Sequence, residues 1–347
     1  MTSPFTLTVQ DPATLGLPER METAQLQYDC FTFANPDDPP PVLASVAESL
    51  HRVVADERRQ LVQAHREGRL IGLGYLDYDL EQNTDKAHLH VAVHPACRCQ
   101  GIGTALASRL AEVALALGRV TYTAATSSRS PQGDVFATGL GAEASLPSIM
   151  SELRLDALDQ AQLAAWVTRP TPDAYRLHRF THIPEHELAR VAAVVSVMNT
   201  APRGTLDFDD WIITAETMRE WQDAAEATGW ERLFYAVEQT ESGELVAFSE
   251  VQWQPERGGM VFQQGTGVRP DHRGQGLGKW LKAAVLLDLP AAFPAAVRVR
   301  TGNADSNTAM LGINVALGFK PASSATEWQG QTQELLKAAV RQLGTSG

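Results

Sequence analysis

Cysteine is scarce: Cys30, Cys97 and Cys99 are the only three in 347 residues. An odd number cannot form a fully paired disulfide framework, and Cys97 and Cys99 are too close for a strain-free bridge. No His or second Cys pair stands at zinc-ligand spacing, so reduced thiols and no metal are expected. Nowhere does the chain offer about 18 uninterrupted apolar residues, and its start has no basic segment leading into an apolar one. No membrane association is therefore expected, and a cytoplasmic location follows. Basic residues are outnumbered, 29 Lys and Arg against 41 Asp and Glu, for a net charge of −12. That balance leaves no electrostatic footprint for nucleic acid or an anionic membrane. What is present, 44% hydrophobic and 20% charged residues, describes a globular chain long enough for two ordinary cores.

One pattern occurs twice. Val93, Pro95, Arg98, Gln100, Gly101, Ile102 and Gly103 recur at identical spacing as Val268, Pro270, Arg273, Gln275, Gly276, Leu277 and Gly278. Each copy ends a strand-like run and begins a helix-like one, and the copies lie about 175 residues apart, one ordinary domain length. Between them, Pro170 and Pro172 interrupt the pattern in polar company, giving a first domain over 1–168, a linker at 169–174 and a second domain over 175–347. In the second, strands are expected over 175–180, 233–238, 245–253, 260–268, 296–301 and 326–329, with helices over 185–198, 215–228, 278–289 and 306–317. The first half repeats that order, with strands over 5–9, 60–65, 70–78, 86–93 and 120–126 and helices over 43–57, 103–117 and 133–138. The fold class is therefore mixed α/β (α+β), a central sheet flanked by helices in each of two domains.

Each part of the motif has a physical reason. Glycines allow positive φ and close backbone approach, at a helix-propensity cost of roughly 0.5–1 kcal/mol each. Amide groups at the head of a helix, together with its dipole, favour a phosphate or pyrophosphate. Arg98 or Arg273 adds a charge-assisted partner, and Arg269, His272, Lys279 and Lys282 form a basic spot around the second copy. A dinucleotide-binding Rossmann site would place its glycines after the first strand of a parallel unit, whereas here they follow the fourth strand of a meander. No Walker lysine motif is present either.

Arg-x-x-Gly-x-Gly after a meander resembles the coenzyme A loop of the GNAT acyltransferase superfamily, and the resemblance covers nearly the whole chain as two tandem copies. A second signature agrees: Asn303 and Asn307 lead into a helix ending Leu317, Gly318 and Phe319. The sequence thus resembles bacterial tandem GNAT proteins and, more distantly, mycothiol synthase. The resemblance implies acetyl-CoA as co-substrate, with its pyrophosphate on Arg273, Gly274, Gln275, Gly276, Leu277, Gly278 and Lys279 and its pantetheine along Thr266, Gly267 and Val268. Asn303 and Asn307 would border the thioester. In the first half the corresponding residues are Val91 and Val93, then Arg98, Gln100, Gly101, Ile102, Gly103 and Thr104.

Transfer to an amine needs a proton acceptor, because an alkylammonium of pKa about 10.4 is neutral in only about one molecule in 2,500 at pH 7. Glu250 interrupts an apolar strand and is the candidate, the alternative being an ion-paired or solvated strand residue. Gln264 on the next strand could hold substrate or face solvent. Asn314 stands where many GNAT enzymes carry a tyrosine that protonates the departing thiolate. Asp207, Asp209 and Trp211 lie in the stretch where the family places its substrate-covering loop, and suit a cationic amine; an acidic helix start with core aromatics is the alternative. The first half lacks the asparagine pair, with Ala137 and Ala142 at the tyrosine and phenylalanine positions, and is expected to be degenerate. Cys97 and Cys99 flank Arg98 as small turn residues or as redox-sensitive thiols. Asp77 and Asp79, and likewise His88 and His90, share strand faces that mark either a cleft or an exposed sheet. The function expected is acetyl transfer to a small-molecule amine by a monomer or homodimer, with a non-catalytic acyl-CoA-binding protein and acetylation of a thiol-sugar amine as alternatives.

Overall fold

A computed structural model describes residues 4–50, 56–168 and 172–344. In chain order its elements are β1 (Thr6–Gln10), α1 (Leu17–Ala34), α2 (Leu43–Ser49), β2 (Glu57–Arg66), β3 (Arg69–Asp79), β4 (Lys86–Val93), α3 (Ile102–Ala116), β5 (Thr121–Ser127), α4 (Gln132–Gly139), β6 (Glu143–Arg154), α5 (Gln160–Val167), β7 (Tyr175–Phe180), α6 (Leu188–Val195), α7 (Ala215–Ala227), β8 (Glu231–Gln239), β9 (Leu245–Trp253), β10 (Met260–Val268), α8 (Leu277–Ala292), β11 (Arg298–Ala304), α9 (Thr308–Leu317), β12 (Lys320–Gln331) and α10 (Thr332–Gly344), with short 3-10 turns between some of them.

Packing divides the chain into two compact units that are not contiguous in sequence. The first comprises Met1–Pro147, Gly204–Asp209 and Ser324–Gly347; the second comprises Ser148–Arg203 and Asp210–Ser323. This differs from the division at 169–174 read from composition, of which 169–171 lie outside the described residues. The reason is burial. Trp328, Leu335, Ala338 and Ala339 from the end of the chain complete the core of the first unit, while Leu153 and Leu163 from the middle join that of the second. A composition shift registers where the sequence changes character, and cannot register which core a late strand and helix will fill.

The first unit has strand order β1-β2-β3-β4-β5-β12 and the second β7-β8-β9-β10-β11-β6. Neighbours are antiparallel except the parallel pairs β4/β5 and β10/β11. In the second unit Leu233, Tyr235 and Val237 of β8 face α8. Phe234 and Ala236 between them face α6 and α7. Burial on both faces explains why such strands read as nearly continuous apolar runs. The first unit is built alike, with α3 on one face of its sheet and Leu26 and Cys30 of α1 against Leu61, Leu73 and Tyr75 on the other.

One expected helix needs correction, and four elements lie outside the expectations. Of the helix expected over 43–57, Leu43–Ser49 is helical, 51–55 lie outside the described residues, and Glu57 opens a strand. Helix α1 went unread because its apolar residues trace no stripe, and only Thr23, Ala24 and Leu26 are buried. β6, α5 and α10 were not anticipated either.

Candidate active site

In the second unit the pairing of β10 with β11 covers only Met260, Val261 and Phe262 opposite Arg298, Val299 and Arg300. Both strands run on, to Val268 and Ala304, without pairing each other further. The sheet therefore opens between two parallel strands, leaving one edge of β10 with unused backbone groups. On its other edge β10 bulges: Gln263 stands opposite Val251 and Thr266 opposite Ser249, so three steps on one strand match two on the other. Gln264 and Gly265 form the bulge, and Glu250 lies beside it on β9. At Gly267 a Cβ would come within 2.3 Å of a Val197 methyl, so only glycine lets the 3-10 turn after α6 approach this strand.

Beyond Val268 the chain makes a short 3-10 turn and enters α8 through Gly274 and Gly276, both left-handed at φ +77° and +75°. Arg273 folds back so that Nε donates to the Val268 carbonyl at 3.1 Å. Residues 273–276 are exposed, and while the Arg273 amide donates to the Pro270 carbonyl, those of 274–276 are available at the positive end of a 16-residue helix. The first unit repeats this almost atom for atom. Its β4/β5 pairing stops at His88 and Thr123, Arg98 Nε donates to the Val93 carbonyl at 3.2 Å, and Cys99 and Gly101 take φ +58° and +78°. Gly103 and Gly278 both sit in close contact with the following helix, on Phe136 and Ile313. Thr104 lies 3.4 Å from Gln342 of α10. Its β3/β4 ladder runs without a bulge from Gly72 to Asp77.

The profile of the Acetyltransferase (GNAT) family matches residues 21–136 and again 202–312. The chain belongs to the GNAT acetyltransferase family. Among solved structures it resembles a tandem GNAT protein from the clavulanic acid biosynthesis pathway, at 22% identity and a TM-score of 0.77 over 95% of this chain and 99% of that one. It also resembles a GCN5-related N-acetyltransferase from Sphaerobacter thermophilus, at 18% identity and a TM-score of 0.63 over 95% and 97%. Comparison with curated proteins finds no match. The protein is thus an acyltransferase of two GNAT units, and both family matches span a parted strand pair and its loop.

The other residues singled out in the sequence fall as follows. Glu250 shares a face with Phe248 and is ion-paired: its Oε1 lies 3.2 Å from Arg232 Nε and accepts from Gln252 at 2.9 Å. Arg232 is buried, and its Nη1 has no hydrogen-bond partner. Arg232 stands one residue before the strand expected over 233–238 and so escapes sequence reading; a basic residue two before Phe234, which pairs with Glu250, is the signal that points to it. Gln264 is exposed at the bulge, while Gln263 donates to the Glu250 carbonyl at 2.6 Å. Asn314 is buried and donates to Asn303 Oδ1 at 2.6 Å, leaving its own Oδ1 without a partner. Asn307 is occupied as the N-cap of α9, accepting from Met310. Thr266 bonds Ser249, which is fully buried.

The basic spot expected around the second loop is largely absent as free charge. Arg269 is paired with Asp271 and Glu244, His272 is buried against Tyr175, and Lys279 lies over the Trp166 ring at 5.2 Å. Lys282 is fully buried, with its ammonium 5.5 Å from the Phe319 ring centroid, and burial pushes its pKa down to about 7. Arg273, held by Thr200 at 2.6 Å, is an exposed cation at the loop.

The acidic stretch also divides. Asp207 and Asp209 fall in the first unit, their backbone N–H groups donating to Gln329 and Asn83 and the Asp207 carboxylate lying 3.9 Å from Lys86. Trp211 belongs to the second, its backbone N–H and carbonyl both bonded by Asn199. A concavity of about 300 Å³ lined by Trp230, Arg232 and Phe293 lies at the Glu231 end of β8, the far end of the sheet from the loop. Among the described residues no helix is long and apolar enough to cross a membrane, and no group of three or more His, Cys, Asp or Glu is placed to hold a metal.

Proposed function

We propose that the second unit transfers an acetyl group from acetyl-CoA to the primary amine of a small molecule. The observation that carries this reading is the bulge at Gln264 and Gly265, set beside Glu250 at the mouth of the opening between β10 and β11. The amides of the exposed residues 274–276, with the α8 dipole and Arg273, take the pyrophosphate. The unused edge of β10 at Thr266, Gly267 and Val268 pairs with the amide-bearing pantetheine arm. A bulge frees backbone N–H groups from the ladder, and these can hydrogen-bond the thioester oxygen as negative charge develops there.

Glu250 Oε2 carries no hydrogen bond among the described residues and accepts the proton of the incoming ammonium, directly or through a water. The neutral amine adds to the carbonyl carbon, the C–S bond breaks, and the thiolate leaves, the surplus nitrogen proton passing to it through solvent as the amide forms. A thiol of pKa about 8.5 is a tolerable leaving group at neutral pH, which makes a tyrosine acid dispensable. Asn314 cannot supply a strong acid; its orphaned Oδ1 can accept the S–H of the product.

A non-catalytic acyl-CoA-binding role for this unit is favoured by one observation, the commitment of Glu250 to Arg232. Free-thiol release from acetyl-CoA with a panel of amines separates the two. Gly276→Asp, which sets a carboxylate in the anion cradle, is expected to lower amine-dependent release at least tenfold. Unchanged release in that variant would place the chemistry elsewhere.

A further inference from the structure

The repeated loop contains one side chain that neither backbone geometry nor anion chemistry accounts for, that of the glutamine, Gln100 in the first copy and Gln275 in the second. In the second, Arg273 is anchored on Val268 and Thr200, and α8 begins at Leu277. Between these fixed points Gln275 lies flanked by two left-handed glycines, Gly274 and Gly276. A Cβ at Gly274 would meet nothing within 4 Å, so that side of the loop has no packing to hold it. A peptide set between two glycines has wide backbone freedom, and ordering it around a ligand costs affinity. The Gln275 side chain supplies a restraint: the Tyr175 hydroxyl donates to its Oε1 at 2.6 Å.

Tyr175 is a fixed post. It opens β7, opposite Gln239 of β8, and is buried in the same apolar core as Leu277 and Leu281 of α8. Its hydroxyl has one proton to give, and that proton goes to Gln275. At 3.0 Å the oxygen therefore accepts from Nδ1–H of His272, which is itself buried in the 3-10 turn leading into the loop. The order His272, Tyr175, Gln275 is thus directional, and each hydrogen bond polarises the next. The first unit tethers the same glutamine with an unrelated residue: Arg66, the last of β2, donates through Nη1 to Gln100 Oε1 at 2.9 Å. The two loops share the tether and not the donor. That is why the glutamine recurs at this spacing while the strand residues that hold it differ.

We infer that Tyr175 is a positioning residue for the anion cradle of the second unit: through Gln275 it holds the amides of 274–276 in place before a ligand arrives, and so strengthens the binding of a pyrophosphate-bearing thiol or thioester. The inference rests on the reading of this loop as the acetyl-CoA site. Because Tyr175 acts on the loop and not on the opening between β10 and β11, its effect falls on binding and leaves the transfer step alone.

The test uses the full-length chain carrying Gly101→Asp, which disables the first loop, so that calorimetric titration with CoA reports the second. Tyr175→Phe deletes the hydroxyl, keeps the ring in the core, and is expected to weaken CoA about three- to tenfold, the worth of one net hydrogen bond. Gln275→Ala, at an exposed position that leaves the core untouched, should weaken it about as much, and the double variant no further. In the transfer assay KM for acetyl-CoA should rise by the same factor with kcat unchanged. With S-acetylpantetheine, which has no pyrophosphate, kcat/KM should stay as in the parent, whereas a general fold defect would lower it with both thioesters. The inference is overturned by a CoA affinity in Tyr175→Phe within about twofold of the parent, by additive losses in the double variant, or by an equal loss with S-acetylpantetheine. A Gly101→Asp parent that binds no CoA reads differently, overturning the acetyl-CoA reading itself and this inference with it.

Discussion

Glu250→Gln tests the second unit most directly, because its stability and kinetic effects can be separated. The amide keeps an oxygen to accept from Arg232 Nε at 3.2 Å and from Gln252 at 2.9 Å, but removes the charge. At that distance the ion-pair attraction is about 5 kcal/mol for an effective dielectric near 20. Losing one partner of a buried pair costs about 3–5 kcal/mol, since the remaining charge stays desolvated. With both hydrogen bonds retained, the lower end, about 3 kcal/mol, is expected, or about 6–12 °C in the melting temperature of a unit this size. Fluorescence isolates the effect: Trp166, Trp211, Trp221, Trp230, Trp253 and Trp280 all lie in the second unit. Adding Arg232→Met should restore much of the stability by removing the stranded guanidinium. If Glu250 is the base, kcat falls roughly 100-fold or more in both the single and the double variant. Arg232→Met alone keeps the carboxylate and should retain most activity. A Glu250→Gln variant within 1 kcal/mol of the parent would refute the energetic reasoning, and unchanged kcat at every pH would remove the base.

Trp328→Ala should destabilise the first unit by about 3–5 kcal/mol, read by circular dichroism, because the indole is nearly buried and its Nε1 donates to Thr126 Oγ1 at 2.8 Å. Gly267→Ala should cost about 1–3 kcal/mol and raise KM for acetyl-CoA, since the new methyl meets the Val197 side chain at 2.3 Å. Glu57 has a folded-state pKa raised above its ordinary value of 4.5 to about 7, so the stability it contributes is full below pH 4.5 and is lost as pH rises through 7. Glu57→Gln should therefore gain stability relative to the parent between pH 5 and 8 in chemical denaturation; a difference independent of pH would refute this. His90, depressed to about 4, works in the opposite sense, its contribution being present above pH 6.5 and lost as pH falls through 4.

The sequence by itself determined the tandem arrangement, the meander order and both loops. These rest on local rules: glycines at forced backbone angles, period-two strands, and a helix that must begin where the glycines end. The conformations of Arg98 and Arg273, each donating to the carbonyl of the preceding valine, follow the shared spacing. Pairing was decided only in three dimensions. That Glu250 meets Arg232, that Asn314 meets Asn303 across eleven positions, and that Lys282 is buried away from the loop depend on strand register and helix facing, which no local window contains. The same holds for the compact units. Whether β12 and α10 complete the first core or the second is a choice between two similar apolar surfaces, and only packing in the folded chain distinguishes them. His88, Asp77, Glu57 and Asp79 belong to this second kind. Along the chain His88, Asp77 and Asp79 read as polar residues in strands and Glu57 as the end of a helix, and only the antiparallel register of β2, β3 and β4 brings them onto one face beside an opening in the sheet.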